Sequence, residues 1–345
     1  MSIQPGNVFV IIINDQYRIT AGEITYLRNT EDSFAKGNVI VTTDSAIIKA
    51  DGIDFFKSQG KTFAYGNVNI NSDSTVITSD TATNYSIEKK SIASGNVKIE
   101  SLNNRTIIYG DKLENYEKEN YTIVKDSARL IQNEDNGDTV FIYCDTMEAF
   151  RSKPEKYIAR GSVSLIRDDF LSKCGLGIYF KDNETVSLSK DPIVWQKNIQ
   201  MTGDSIYAEL PNNKLQSIFV KKLSAMQNSI TSFVISENED LYFKDRYDQI
   251  SGDDITLKFK DDKINLIEVF ENSRSIYFVY EDEKANGLNN IEGKNINIYF
   301  DENKKVEKIK VDTDPKGEYY PETLLNTASL TLPGFNLRED KPVKK

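Results

Sequence analysis

Residues 66–100 read GNVNINSDSTVITSDTATNYSIEKKSIASGNVKIE, a stretch that starts with the triplet Gly-Asn-Val and returns to it near its end. The triplet begins at Gly6, Gly37, Gly66 and Gly95, at spacings of 31, 29 and 29 residues. Weaker copies begin at Asp126, Gly161 and Asp191, at spacings of 31, 35 and 30 residues. Self-similarity at a fixed period is typical of repeat proteins, so the sequence predicts stacked repeats of about 30 residues.

Two apolar residues, separated by one residue that is usually polar, follow each of these starts. The pairs are Val8 and Val10, Val39 and Val41, Val68 and Ile70, Val97 and Ile99, Ala128 and Leu130, Val163 and Leu165, and Ile193 and Trp195. Alternation with a period of two is typical of a strand that has one buried and one exposed face. The sequence therefore predicts a continuous inward column of apolar side chains.

A second recurring feature lies about 15 residues before the triplet. An aspartate follows a small residue at Asp51, Asp80, Asp111, Asp145, Asp204 and Asp253, and an aromatic residue follows five positions later at Phe56, Tyr85, Tyr116 and Phe150. Glycine and small residues inside strands mark bends or bulges. The apolar positions also change parity at the glycine, because Phe63 and Tyr65 are odd whereas Val68 and Ile70 are even. Each repeat is predicted to hold two long bent strands that form a two-walled trough or roll.

The repeat lengthens in the second half of the chain. The pattern Lys-apolar-x-x-Ile-x-Val occurs at Lys214, Lys263 and Lys305, each time after a polar turn. We interpret residues 201–314 as a continuation of the array in 1–200, and residues 315–345, which contain four prolines, as a tail or cap.

Composition excludes several function classes. The chain has 345 residues, a net charge of −10 and no histidine. An acidic chain without a basic cluster is a poor candidate for binding nucleic acid. Without histidine, a catalytic triad that depends on histidine is impossible. No phosphate-binding loop or nucleophile elbow is present. We predict a protein that is not an enzyme and that needs no cofactor or metal.

The two cysteines occupy the same phase of successive repeats, 17 residues before Gly161 and Asp191. In a parallel solenoid Cys144 and Cys174 would lie about 4.8 Å apart, which suits a disulfide, whereas in an antiparallel meander they would lie about 10 Å apart. We favour the antiparallel arrangement and expect no disulfide.

Two further features have alternative interpretations. The aspartate column could bind a metal or cleave sugars, as in some parallel β-helices, but each aspartate lies beside a small bend residue and is expected to hydrogen-bond nearby groups while facing water. Trp195 fills either the core or a ligand groove.

Taken together, the Gly-Asn-Val starts, the preceding aspartates and the aromatic residues resemble the OstA/LptA-like family of lipopolysaccharide transport, over roughly residues 6–312. The resemblance implies an elongated, open β-jellyroll of bent antiparallel strands in the periplasm, either free or associated with the outer membrane. It also implies a groove that carries acyl chains passively. The inward residues expected to line this groove are Val39, Val41, Val68, Ile70, Val97, Ile99, Leu130, Val163, Leu165, Ile193 and Trp195.

The expected partners follow from the same resemblance. They are lipopolysaccharide or a similar lipid, and other β-jellyroll transport components or a second copy of this chain, joined end to end by strand addition. The main alternative is a structural or protein-binding β array with a closed core and no groove. A carbohydrate-active β-helix enzyme is the third possibility, and carboxylates clustered on a concave surface would distinguish it.

The recurring aspartate that precedes the later triplets has no counterpart before the first triplet, at Gly6. We therefore expect the native gene to encode further residues upstream, including a targeting segment.

Overall fold

Antiparallel β-strands make up nearly all of the regular structure in the computed structural model of the chain. The structure describes residues 10–13, 17–134, 137–168, 170–222, 231–238, 243, 245–261, 263–281, 284–302 and 305–344. Every strand pair characterised among these residues is antiparallel, which confirms the predicted all-β fold class. Within the same ranges no helix combines the length and the apolar character that a membrane span requires. The triplet at Gly6 lies outside the described residues.

Two compact units divide the chain, Met1–Ala159 and Arg160–Lys345. The first unit contains β1 (Val10–Ile13), β2 (Tyr17–Ala21), β3 (Glu23–Leu27), β4 (Asp32–Thr43), β5 (Ala46–Phe56), β6 (Lys61–Ser72), β7 (Thr75–Tyr85), β8 (Lys90–Ser101), β9 (Thr106–Tyr116), β10 (Tyr121–Asn133) and β11 (Thr139–Phe150). The boundary between the two compact units falls within β12 (Lys156–Arg167). The division at residue 200, where the sequence predicts that the repeat lengthens, stays a prediction.

Shorter strands and two long ones build the second unit. They are β13 (Phe170–Phe180), β14 (Thr185–Ser189), β15 (Ile193–Gln196), β16 (Ile199–Thr202), β17 (Ser205–Glu209), β18 (Ser217–Lys221), β19 (Ser232–Glu237), β20 (Tyr247–Gly252), β21 (Asp254–Lys260), β22 (Lys263–Glu281), β23 (Lys284–Phe300), β24 (Val306–Asp312) and β25 (Lys316–Pro321). Three 3-10 helices, Lys57–Gln59, Pro211–Asn213 and Glu322–Thr327, complete the regular elements of the described chain.

The three Gly-Asn dipeptides among the described residues, at Gly37, Gly66 and Gly95, each form the corner of a bent strand. Both residues of each dipeptide have positive φ, for example +71° at Gly66 and +49° at Asn67. Glycine and asparagine adopt this left-handed conformation at the lowest cost, which explains the residue choice. The strand register shifts at the same place, between Tyr65 and Val68 in β6. The bend that the sequence predicted at the triplet is therefore confirmed.

The recurring aspartate and the asparagine of the triplet hold each other across neighbouring strands. Asn67 Nδ2 donates a 3.0 Å hydrogen bond to Asp51 Oδ2, and Asn96 Nδ2 donates one of 3.0 Å to Asp80 Oδ2. Asp51 and Asp80 are both exposed at the corner. This pairing explains why the two motifs keep a constant separation, and it supports the structural interpretation of the aspartate column.

The corner divides each bent strand of the first unit into two walls. Wall A contains the segments 32–36, 52–56, 61–65, 81–85, 90–94, 112–116, 121–125 and 146–150, and wall B contains 39–43, 46–50, 68–72, 75–79, 97–101, 106–110, 128–133 and 139–144. The core joins Ala35, Ile53 and Ala64 of wall A to Val39 and Val68 of wall B. At this inward position of wall A the larger Ile53 lies between two alanines, opposite Ala35 on one side and Ala64 on the other.

The change of parity in the apolar positions at the glycine does not follow the inward face of wall A. Phe63 and Tyr65, the apolar residues just before the corner, lie on the opposite face from the buried Ala64. The inward residues keep even numbering through this corner, with Ala64 before it and Val68 and Ile70 after it.

Corners of the same kind continue into the second unit, and the sequence missed several of them. Consecutive residues with positive φ occur at Lys190 and Asp191, at Glu271 and Asn272, and at Thr313 and Asp314. The copy assigned to Asp191 therefore begins one residue earlier than predicted. This shift reverses the faces assigned to Ile193 and Trp195.

In the second unit, wall B consists of β15, β16, β19 and β20, and wall A of the strands that pair on the other side of the corners. The C-terminal residues 330–340, which we call the strap, lie across the outer face of this wall B. Gln249 Nε2 donates to Leu330 O and Gln249 Oε1 accepts from Leu332 N, at 2.9 and 2.8 Å. Gln200 makes the same pair of bonds with Asn336 O and Arg338 N, both at 2.8 Å. The amide group of each glutamine side chain thus bonds to the strap backbone as the backbone of a neighbouring strand would. The strap covers a core that includes Phe233, Ile276 and Phe278.

Both cysteines are buried thiols that form no disulfide. Cys144 lies opposite Ala128 at a corner, in the series of small residues, and its sulfur donates to Thr146 O at 3.2 Å. Burial raises the pKa of the Cys174 thiol to about 11, so it remains protonated at neutral pH.

Candidate lipid groove

An unbroken row of aliphatic side chains crosses wall B of the first unit on its inner face. Neighbouring strands place its members directly opposite one another. From β4 to β11 the row consists of Val41, Ile48, Ile70, Ile77, Ile99, Ile108, Leu130 and Ile142. Every member is only partly buried, in contrast to the fully buried valines beside the corner. The row is thus an apolar surface that solvent still reaches.

The part of wall A next to the corner faces this row with a mixture of alanine and larger aliphatic residues, and the part further out is mainly polar. Ala64, Ala82 and Ala93 belong to the part next to the corner, and so do Ile53 and Leu113. Two residues further from the corner, Ser91 Oγ donates to Asn84 Oδ1 at 2.9 Å and Thr122 Oγ1 donates to Asn115 Oδ1 at 2.8 Å. The first unit is therefore a trough with an apolar floor and a polar rim along wall A.

The structure brings most of the predicted inward residues together. Val39, Val68 and Val97 lie at the corner with at most 1% of their surface exposed, and Val41, Ile70, Ile99 and Leu130 belong to the partly exposed row. Val163 and Leu165 follow the corner at Gly161 and Ser162 in the second unit. Ile193 and Trp195 lie on the other face of their strand, where Trp195 Nε1 donates to Arg338 O of the strap at 3.2 Å.

Half of the row was missed in the sequence. Ile48, Ile77, Ile108 and Ile142 come from the strands that run in the opposite direction, and each lies three residues before a recurring aspartate. That constant offset was a usable signal, because the aspartate marks the corner as reliably as the triplet does.

The second unit has a closed interior. Its wall A carries the buried ladder Leu188, Ile206, Val220, Ile255, Val269 and Ile296. Facing residues of its wall B, Val194, Met201 and Val234, have at most 3% of their surface exposed. Aliphatic side chains on both walls are thus almost fully buried, so the interior of the second unit is filled by its own side chains.

One carboxyl group lies on this inner side of the second unit. Asp248 Oδ1 accepts a 2.9 Å hydrogen bond from Phe278 N, and burial raises the pKa of Asp248 to about 7. The folded state therefore favours the protonated carboxyl group. The free energy of unfolding of the second unit decreases as the pH rises from about 4 towards about 7.

Replacing Asp248 with asparagine should remove this pH dependence, because the amide oxygen can still accept from Phe278 N without ionising. The free energy of unfolding of the variant should exceed that of the parent by at least about 1 kcal/mol near pH 8, with little difference near pH 3. Urea unfolding at both pH values measures this. An equal difference at the two values would contradict the assignment.

The outer face of wall A carries a charged and aromatic surface. Glu114 is buried there among Lys112 and Lys125, each 2.9 Å from its Oε1. The Tyr116 hydroxyl, followed by these two lysines, holds the pKa of Glu114 well below its usual range, so Glu114 remains ionised. This face is distinct from the trough and has a net excess of lysine near its buried carboxylate.

No group of three or more metal-binding side chains suited to a metal ion occurs in the described part of the chain. The recurring aspartates are separated by strands and are engaged with asparagine at several corners. Their arrangement therefore supports the structural interpretation over the sugar-cleaving one.

These features define an antiparallel β-jellyroll repeat protein with an open first unit and a closed second unit. Residues 76–214 match the model of the family described as LptA/(LptD N-terminal domain) LPS transport protein. The match confirms, over that part of the chain, the resemblance to the OstA/LptA-like family that the sequence indicated.

Among solved structures, the chain is similar to LptH of Pseudomonas aeruginosa, described as the LptA homologous periplasmic component of the lipopolysaccharide transport device. The identity is 14%, the alignment covers 41% of this chain and 80% of that chain, and the TM-score is 0.21. No curated protein matches the sequence. The fold described above rests on the strand pairing of this chain alone.

Proposed function

We propose that this chain works in lipopolysaccharide transport and that its first unit binds the acyl chains of the lipid in the open trough. The observation that carries this proposal is the partly exposed aliphatic row from Val41 to Ile142. Monomeric proteins rarely leave continuous apolar surface open to solvent unless it binds something. The family match over residues 76–214 supplies the class of ligand.

Carriage in this trough would be passive. Acyl chains would lie on the row of wall B, and each buried methylene group would contribute about 0.8 kcal/mol. The polar rim of wall A, with Asn84 and Asn115, would meet the polar part of the lipid. Because the described residues offer no chemistry for energy coupling, movement along the row would depend on other components.

We also propose that the chain lies in the periplasm and that it binds other transport components end to end. At the C-terminal end of the sheet, β24 and β25 each pair with β23 alone among the described strands. Exposed strand edges accept a further strand from another chain. A second jellyroll component or a second copy of this chain would join there.

Photo-crosslinking tests the trough directly. A photo-reactive residue in place of Ile99 or Ile77 should capture lipopolysaccharide, because both side chains belong to the inner row. The same residue in place of Lys98 should not, because adjacent side chains of a strand point to opposite faces, and Lys98 pairs with Glu100 on the outer face.

A position in the closed second unit provides the matched control. Leu257 is aliphatic, inward and fully buried, so a probe there should capture no lipid if the interior is filled. Equal capture at Ile99 and Lys98, or none at Ile99, would exclude the trough as the lipid site.

The closed second unit favours a second candidate function for that part of the chain. Its dry interior matches the structural or protein-binding array expected as the main alternative. We propose that this unit serves as an interaction module, which pull-down with and without residues 160–345 can test. Retention of all partners by a chain lacking them would contradict this role.

A further inference from the structure

A single row of aromatic and lysine side chains runs along the outer face of wall A at the end furthest from the corner. Direct cross-strand pairing aligns its first seven members. From β5 to β12 the row consists of Phe56, Lys61, Tyr85, Lys90, Tyr116, Tyr121, Phe150 and Lys156. We call it the aromatic–lysine row. At about 4.8 Å per strand it extends over roughly 34 Å.

The lysines of this row lie against its rings. The ammonium of Lys61 is 5.4 Å from the ring centroid of Phe56, that of Lys90 is 4.9 Å from Tyr116, and that of Lys156 is 5.0 Å from Phe150. These contacts are cation–π interactions, which fix each ammonium beside a flat apolar surface. The row therefore repeats one local arrangement at three places.

Two of the three ammonium groups are not neutralised by the protein. Lys90 lies 3.7 Å from Glu114, but Lys61 and Lys156 have no carboxylate partner in the described part of the chain. All the side chains of the row are partly exposed. These two ammonium groups, each fixed beside a ring, suit an anionic ligand.

The position of the row relates it to the trough. Within each strand of wall A its residues neighbour the polar rim, as Tyr85 neighbours Asn84 and Tyr116 neighbours Asn115. A lipid whose acyl chains lie in the trough would leave it across this edge. Its polar head would then meet first the rim and next the aromatic–lysine row.

We propose that the aromatic–lysine row binds the phosphorylated sugar headgroup of the lipid, an inference that rests on the proposed function. Sugar rings would stack on Phe56, Tyr85 and Phe150, because the apolar face of a sugar fits a flat aromatic ring. The ammonium groups of Lys61 and Lys156 would bind the phosphates through charge-assisted hydrogen bonds. The trough would select for acyl chains and the row for a phosphosugar.

The test uses the full chain with Lys61→Gln and Lys156→Gln combined, a change that removes both charges and keeps most of each stem. Affinity for detergent-solubilised deep-rough lipopolysaccharide should fall about three- to tenfold, since exposed cationic contacts are individually modest. Affinity for the same lipid after chemical dephosphorylation should not change. Lys49→Gln and Lys98→Gln, combined on the outer face of wall B, provide the matched control and should leave both affinities unaltered.

Crosslinking at Ile99 in the variant separates the two proposals. Retained crosslinking with reduced affinity for the phosphorylated lipid alone supports the headgroup site. Retained crosslinking with parental affinity for both lipids overturns the headgroup site and leaves the trough standing. An equal loss of affinity for both lipids also overturns the headgroup site. Unchanged affinity for both lipids together with weaker binding of a protein partner overturns it too, and would make the row a protein-docking surface. Absence of crosslinking in the parent chain would remove the proposed function itself.

Discussion

Replacing Gln249 with methionine should lower the free energy of unfolding of the second unit by about 2–4 kcal/mol. Methionine has nearly the same shape but cannot make the two hydrogen bonds with Leu330 O and Leu332 N. Each lost bond costs about 1 kcal/mol, and the two strap groups left unsatisfied beside a buried side chain add to this. Gln249 itself has no exposed surface, so water cannot replace it.

The only tryptophan of the chain provides the measurement. Trp195 is 2% exposed and bonds to Arg338 O of the strap, so its fluorescence reports on the second unit during urea unfolding. Gln132→Met in the first unit is the matched control, because the described structure shows no hydrogen bond from the Gln132 side chain. A Gln249→Met chain as stable as the parent would mean that the strap is not held by its glutamines.

Replacing Gly95 with alanine should destabilise the first unit by about 2–4 kcal/mol. Gly95 has φ of +77°, and a left-handed conformation costs a residue with a Cβ about 1–2 kcal/mol. The new Cβ would also overlap Asp80 Oδ2, displacing the carboxylate that bonds Asn96. Strain and loss of the corner hydrogen bond act together at this position.

A double-mutant cycle separates these two causes. In an Asp80→Gly background the overlapping carboxylate and Cβ are both absent, so Gly95→Ala should cost only the conformational strain of about 1–2 kcal/mol. Gly317→Ala is the control, because a Cβ there meets nothing within 4 Å and its φ is not positive. Hydrogen exchange of the amides in β7 and β8 reports on this unit specifically. Equal costs of Gly95→Ala in both backgrounds would rule out the steric contribution.

The corners of the first unit could be predicted from the sequence, because their backbone conformation restricts which residues can form them. Consecutive left-handed residues favour Gly-Asn so strongly that four clean copies revealed the repeat, and the aspartate followed from the same geometry. The less favourable pairs, Lys190 with Asp191 and Glu271 with Asn272, have no such signature. The corner at Lys190 and Asp191 was therefore assigned one residue late, and the face of Trp195 was assigned wrongly.

Packing between walls was harder to predict than the corners. Hydrophobicity favours Phe63 and Tyr65 as inward residues, yet the residue of this segment that enters the core is Ala64. The sequence predicted a tail or cap but not where the strap would dock, because the bonds of the strap to the rest of the second unit join residues 81 to 167 positions apart. One signal was available: the uninterrupted apolar triplets 193–195 and 233–235 indicate strands buried on both faces, which only an additional layer can produce.

The strap has a consequence for the order in which the chain folds. Contacts that define the corners of the first unit span about one repeat, as with the 16 residues between Asp80 and Asn96, so they can form as soon as two neighbouring strands exist. The second unit must wait for residues 330–340, because until then the face around Phe278 and Trp195 is exposed to water. Non-local closure of this kind slows folding and prolongs exposure of apolar surface. During synthesis, the second unit is thus the part of the chain that most needs protection from aggregation.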